Sequence, residues 1–245
     1  MNTSSNGYVI CFAVGVCVAA SAALALCATV LKPIQDAAAE FDRQKNVMIA
    51  AGLMKQGDLR QRAELEQLYR DRVREVVVDT ETGAVAEGKT PADVAAMKSP
   101  ADKKRYRVGA LGLTAEGKTD SIVLPVSGKG LWSTLYGYLA LEGDANTVRG
   151  ITFYKHGETP GLGGECENPE WTAKWVGKTI LDEKGALASI KVKKGVVDPA
   201  IPNEKAHMVD GLSGSTITSN GITTFVKADL TAFSGYLGNL RSKPQ

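Results

Sequence analysis

The sequence predicts an α+β protein, in which a single N-terminal transmembrane helix precedes one soluble domain built on a largely antiparallel sheet flanked by helices. Three observations carry that expectation. Residues 8–31, YVICFAVGVCVAASAALALCATVL, form a run of twenty-four residues without a charge. Several strand-like runs between residues 106 and 154 are joined by short Gly-rich punctuation, the spacing of a meander rather than of βαβ units. The chain closes on Ile222, Phe225, Val226, Leu230, Phe233, Leu237 and Leu240, an apolar series at helical intervals.

As a helix the first run reaches about 36 Å at 1.5 Å per residue, enough to cross a hydrocarbon core of about 30 Å with some tilt. A cleaved signal peptide is the alternative. Against it, no Lys or Arg precedes the run, and the run exceeds the usual apolar core of such peptides. The division expected is a short tail at residues 1–7, the span at 8–31, a helical connector at 32–57 and the soluble domain at 58–245. Lys32, Arg43 and Lys45 follow the span, interleaved with Asp36, Glu40 and Asp42. A count of basic residues alone leans towards a cytoplasmic domain, although large domains translocate regardless of so small a bias.

Residues 33–53 read as a helix leaving the membrane, with Phe41, Val47, Met48 and Ala51 as candidate buried positions. Gly57-Asp58 should break it, and Asp58 with Gln61 three residues on resembles a capping box for a second helix carrying Leu65, Tyr69 and Val73. Val76-Val77-Val78 then reads as a strand and residues 79–83 as its turn. The polar, Pro-bearing residues 88–104 read as a variable surface loop. Strands are expected at residues 106–113, 122–126, 133–141 and 148–154. Asn168-Pro169-Glu170 is a helix start: a capping side chain, a proline at the first position and an acid in the first turn. Residues 188–192 read as a further strand before the closing helix.

Composition narrows the function. Charged residues at 23% and hydrophobic ones at 44% are globular values, which sets aside disordered and fibrous classes. A net charge of +2 gives no field to hold nucleic acid. His156 and His207 are the two histidines, and no Cys or His pair has metal spacing. Cys11, Cys17 and Cys27 lie in the apolar run and Cys166 stands alone outside it, so the soluble domain holds no internal disulfide.

Two Gly-rich segments stand out. In residues 156–165, HGETPGLGGE, glycines and a proline lie among Glu158, Thr159, Gly161, Leu162, Gly163 and Glu165. In residues 210–216, DGLSGST, Asp210, Gly211, Ser213, Gly214 and Ser215 lead directly to Thr216 and the closing helix. Glycines let backbone N–H groups approach a ligand, and a helix N-terminus adds orphan donors and a positive dipole end, so a phosphate near Thr216 would be well placed. The segment is neither a Walker loop nor a dinucleotide fingerprint. The plainer reading is a Gly/Ser turn that caps the helix. Ser213 or Ser215 with His207 and Asp210 does not form the elbow of a serine hydrolase. Glu158 and Glu165 could pair for acid–base work, though two acids flanking a loop are more often solvated.

These segments carry a resemblance. The chain resembles the FMN-binding family that includes the C subunit of the bacterial sodium-translocating NADH:quinone reductase and the G subunit of Rnf complexes. The likeness extends over nearly the whole chain: the anchor, residues 44–53, Gly130-Leu131-Trp132-Ser133, residues 158–163 and residues 210–216. The 44–53 segment and residues 133–141 look more like the quinone-reductase subunit. In the family the last Thr of the DGLSGST-type motif carries FMN through a phosphoester, which matches Thr216; the family's usual Ala is here Ser215. The resemblance further implies that Leu131, Trp132 and the 158–163 loop border the flavin. It implies a separate Mg²⁺-dependent flavin transferase, using FAD outside the cytoplasm, and hence a periplasmic domain on the bacterial inner membrane. No His or Lys within the motif could activate a Thr hydroxyl, which agrees with attachment by another enzyme. The implied role is one-electron transfer within a hetero-oligomer of six subunits that oxidises NADH, reduces ubiquinone and pumps Na⁺. Other readings stay open: a G-type subunit of a ferredoxin:NAD⁺ oxidoreductase, a membrane-anchored binding or assembly module without a redox centre and, last, a membrane-anchored hydrolase using Ser213.

Overall fold

The computed structural model describes residues 6–242, so part of the expected tail at residues 1–7 lies outside the described residues. The chain divides into two compact units, one through Asp42 and one from Arg43 onward. The first consists of helix α1 (Asn6–Ala50) up to Asp42. Its apolar stretch is long and uncharged enough to cross a membrane, and the helix runs on without a break through Pro33.

The second unit begins with the last turns of α1, where Val47, Met48 and Ala50 are buried, as is Ala51 just beyond; Phe41, before them, is only partly covered. The helix stops earlier than Gly57. Gly52 adopts the left-handed conformation, φ +71°, while its N–H bonds the carbonyl of Ile49 and the next N–H, from Leu53, bonds that of Met48. That pair of bonds closes a helix C-terminus around glycine, which has no Cβ to clash at positive φ.

Helix α2 (Arg62–Arg72) buries Leu65 and Tyr69, but Val73, third in that series, opens strand β1 (Val73–Asp79) instead. Asp58 does not cap α2, since its carboxylate is held by the Arg60 guanidinium and N–H. A turn at Gly83 leads to the short β2 (Ala84–Val85). Residues 88–104 are not an open loop. They fold into α3 (Pro91–Ala96) and α4 (Pro100–Arg105). Thr90 and Asp93 cap each other reciprocally, and Ser99 accepts the N–H of Asp102; proline at the first position of each helix needs no N–H partner.

The meander follows: β3 (Tyr106–Leu113), β4 (Thr119–Lys129), β5 (Thr134–Glu142) and β6 (Val148–Lys155). The strands form one antiparallel sheet in the order β2-β1-β3-β4-β5-β6. Its middle strands are buried on both faces: in β4, Ile122 and Leu124 are as buried as Val123 between them. A 3₁₀ turn at Gly163–Glu167 leads into α5 (Pro169–Thr172), which Asn168 caps by accepting the Glu170 N–H. Strand β7 (Lys191–Val192), shorter than expected, and β8 (Met208–Val209), which follows α6 (Pro202–His207), form a separate parallel pair.

The closing helix is two helices, α7 (Thr216–Ala232) and α8 (Ser234–Arg241), meeting at the fully buried Phe233. Helix α7 lies on β4, with Ile222, Phe225, Val226 and Leu230 in the core beside Leu124, Val126 and Leu139. The approach is close enough that a Cβ at Gly221 would fall 2.2 Å from the Lys129 carbonyl oxygen, and one at Gly128 would strike the Phe225 ring.

Candidate functional site

The site forms where three loops meet the first turn of α7. Residues 210–215 approach that turn from β8. The Asp210 carboxylate accepts from the Lys174 ammonium at 2.7 Å and from the Val197 N–H at 2.7 Å, and its carbonyl accepts the Trp171 indole N–H. Burial raises the Asp210 carboxyl, but the lysine and the Val197 N–H outweigh it and hold it below the usual aspartate range. Gly211 presses against the next wall, where a Cβ would sit 2.4 Å from the Lys193 carbonyl oxygen, while its N–H bonds the Gly195 carbonyl. Leu212 is buried and its N–H donates to the Ser219 hydroxyl. Gly214 turns the chain at φ +68°, its Cβ direction facing Leu162.

The two hydroxyls at the end of this turn have different surroundings. Ser215 is 6% exposed, and although it occupies the position before α7 its side chain makes no capping bond. Thr216, the first helical residue, is exposed. The first-turn N–H groups of a seventeen-residue helix are therefore left without a side-chain cap, the arrangement that attracts an anion. Beside them lies a cavity of about 390 Å³, whose lining includes Thr216, Ser213, Gly211, Gly195, Lys174 and Lys194.

The other Gly-rich segment meets the same turn. Glu158 is 5% exposed and not the solvated acid expected at a loop edge. One carboxylate oxygen accepts the N–H groups of Trp132 (2.9 Å) and Ser133 (3.1 Å); the other accepts the Leu131 N–H (3.2 Å) and the Thr218 hydroxyl (2.6 Å). Burial pushes this carboxyl up, but the Thr218 hydroxyl and the three N–H donors more than offset it and keep the group below the ordinary glutamate range. The Thr159 carbonyl accepts from Leu162 and Gly164. Gly163 leaves room for the Glu158–Thr218 contact, since a Cβ there would lie within 2.8 Å of both side chains. Glu165 accepts the Asn168 side-chain N–H at 2.8 Å, a partner it does not share with Glu158. Leu131, Trp132, Leu162 and Ile217 leave 43%, 68%, 45% and 58% of their surface exposed.

The residues expected to border a flavin lie in three loops, residues 130–133, 158–163 and 210–216, which Glu158 and the Gly214–Leu162 approach bring together at α7, whereas Glu165 and His207 lie outside them. Three contributors were not expected. The 193–196 wall and Lys174 meet the motif only through the backbone contact of Gly211 and the ion pair of Asp210, and Thr218 hides in the helix pattern. Neither histidine is placed to serve Thr216: His156 pairs with Glu167 and His207 with the Thr179 carbonyl. Cys166 is fully buried, and burial pushes its thiol up to about 12.

Comparison with known proteins agrees with this geometry. A family model described as an FMN-binding domain matches residues 130–231, the stretch that contains all three loops. The C subunit of the Na(+)-translocating NADH-quinone reductase of Pseudomonas aeruginosa is 39% identical, covering 98% of this chain and 98% of the relative. The corresponding protein of Haemophilus ducreyi is 37% identical over 89% and 88%. Among solved structures, the crystal structure of Shewanella oneidensis NqrC superposes with a TM-score of 0.68 at 30% identity, covering 84% of this chain and all of that one. The crystal structure of the same type of subunit from Parabacteroides distasonis gives 0.69 at 26% identity, over 88% and 98%. With its N-terminal apolar helix, its antiparallel sheet and these relatives along nearly its full length, the chain belongs to the C-subunit family of the Na(+)-translocating NADH-quinone reductase.

Proposed function

We propose that this chain is an electron-carrier subunit of a membrane complex that oxidises NADH, reduces ubiquinone and moves Na⁺, and that it carries FMN as a phosphoester of Thr216. The observation that carries this reading is the contrast at the start of α7. Thr216 is exposed beside a glycine-lined cavity and an uncapped helix N-terminus, whereas the neighbouring hydroxyl of Ser215 is buried.

The residues present fit the group. The cavity is of ligand size, and the closeness of Gly211 to the Lys193 carbonyl leaves no room for a side chain there. The first-turn N–H groups and the ammonium of Lys194 would hold the phosphate, with Lys174 anchored nearby through Asp210. Leu131, Trp132 and Leu162 would border the ring and shield it from water. When bound, FMN supplies one-electron redox chemistry; the protein supplies position and field. Neither histidine is placed to serve Thr216, which supports attachment by a separate flavin transferase. In that transfer the threonine oxygen–phosphorus bond would form as the pyrophosphate bond of FAD breaks, with AMP as the leaving group and the hydroxyl proton passing to a base of the transferase. We read residues 8–31 as the membrane span, 32–57 as the connector and 58–245 as the carrier domain, on the periplasmic side where such a transferase works. Its partners in electron transfer are the other subunits of the complex.

Intact mass of the chain purified from its native membrane, with peptide mapping across residues 210–227, tests the reading. The expected result is an increase of one FMN less water on the Thr216 peptide, abolished in Thr216→Leu. An unmodified peptide from cells with an active flavin transferase overturns it.

A further inference from the structure

Glu158 belongs to none of the groups that would touch the phosphate, yet it is the point at which two loops and a helix are tied together. Its carboxylate is buried, and the four hydrogen-bond partners it has among the described residues are all neutral: the N–H groups of Leu131, Trp132 and Ser133 and the hydroxyl of Thr218. Three successive N–H groups converging on one carboxylate make an anion-binding nest at the β4–β5 turn, and here the anion is a side chain of the same protein. Thr218 lies two residues beyond Thr216 on α7, so one side chain connects the exposed Leu131 and Trp132 to the helix that bears the attachment point. The surrounding backbone is shaped for the carboxylate: at Gly130 and at Gly163 a Cβ would stand 2.7 Å from one or other of its oxygens.

We propose that Glu158 is the positioning residue of the carrier site, an anion balanced by dipoles alone, which fixes Leu131–Ser133 against α7 and imposes a negative field on the redox group at Thr216. The inference rests on the flavin reading for the field and on the geometry alone for the clamp. A buried charge without a cationic partner acts over a longer range than an ion pair, whose two fields largely cancel. A negative field disfavours the arrival of an electron, so Glu158 lowers the potential of a redox group held at Thr216.

Glu158→Gln tests both halves, because the amide keeps the size and removes the charge. In a Thr216→Leu background, which needs no flavin, hydrogen exchange at the amides of Leu131, Trp132 and Ser133 is expected to quicken about tenfold or more, the scale of losing a charge-assisted hydrogen bond, with the amides of β1 and β3 unchanged. In the flavin-loaded complex the midpoint potential is expected to move in the positive direction. Thr218→Val provides a second variant: it keeps the carboxylate charge and loses one donor, so it is expected to speed exchange at Leu131 without the positive shift. Unchanged exchange in Glu158→Gln, an unchanged potential in loaded Glu158→Gln, or an equal positive shift in Thr218→Val each overturns the proposal. A chain whose Thr216 carries no flavin overturns the functional reading instead, and the exchange result still decides the clamp.

Discussion

The backbone N–H of Ser127 on β4 donates to a carboxylate oxygen of Asp229 on α7 at 2.8 Å, while the other oxygen receives the Arg107 guanidinium from β3. Asp229 is 6% exposed, so one side chain ties the helix to two strands at the end opposite Thr216. Removing a partner from a buried, hydrogen-bonded charge pair leaves the others without compensation. Asp229→Ala is expected to lower the unfolding free energy by about 3 kcal/mol, measured by denaturant titration of the detergent-solubilised chain.

Ser215 and Thr216 should separate cleanly. Ser215→Ala removes a buried hydroxyl that caps nothing and is expected to keep full flavin occupancy, with stability changed by less than about 1 kcal/mol. Thr216→Leu is expected to retain the fold and lose all covalent flavin. Fluorescence of the denatured band on a gel reads both.

The glycines of the motif serve different ends. Gly211→Ala sets a methyl against the Lys193 backbone, which cannot move without displacing β7. Gly214→Ala meets only the tip of Leu162, and its cost is that of holding an alanine at positive φ, about 1–2 kcal/mol. Gly211→Ala is expected to destabilise more and to lose more flavin, as measured by thermal unfolding together with flavin content.

Acid should reveal Glu158. Its folded-state pKa is held below the ordinary glutamate value by the Thr218 hydroxyl and three N–H groups, which outweigh burial. The stabilisation is therefore complete above the ordinary glutamate range and is lost as pH falls through the lowered value. Between those two points wild type should lose stability with falling pH more steeply than Glu158→Gln, as followed by thermal unfolding across the acid range.

Cys166 is expected to stay unalkylated by iodoacetamide at neutral pH in the folded chain and to react once the domain is unfolded, because a buried thiol whose pKa lies at about 12 offers almost no thiolate. Peptide mapping before and after denaturation checks this.

The meander was legible because alternation and Gly-rich turns are local signals, and residues 106–113 match β3 end to end. The helices at 91–96 and 100–105 were masked by polar composition, although Thr90-Pro91 with Asp93 and Ser99-Pro100 with Asp102 spell out two helix starts. The break between α7 and α8 could not be read, because apolar spacing continues across Phe233 and its backbone, at φ −89° and ψ 0°, stays in the right-handed region. At the site, Thr216 and its glycines were visible as a motif. The Glu158–Thr218 bond spans sixty residues, and the 193–196 wall reaches Gly211 through main-chain atoms that carry no residue signature.

Gly221 gives up about 1 kcal/mol of helix propensity relative to alanine in the middle of α7, and in return the helix backbone rests on the Lys129 carbonyl. That contact works as an index notch. Sliding α7 one residue in either direction would drive Asn220 or Ile222 into the same carbonyl, so the helix has a single seat along the strand. Five residues upstream, Thr216 inherits that setting, and its height above the end of β4 is gauged by the one position in the helix that has no side chain.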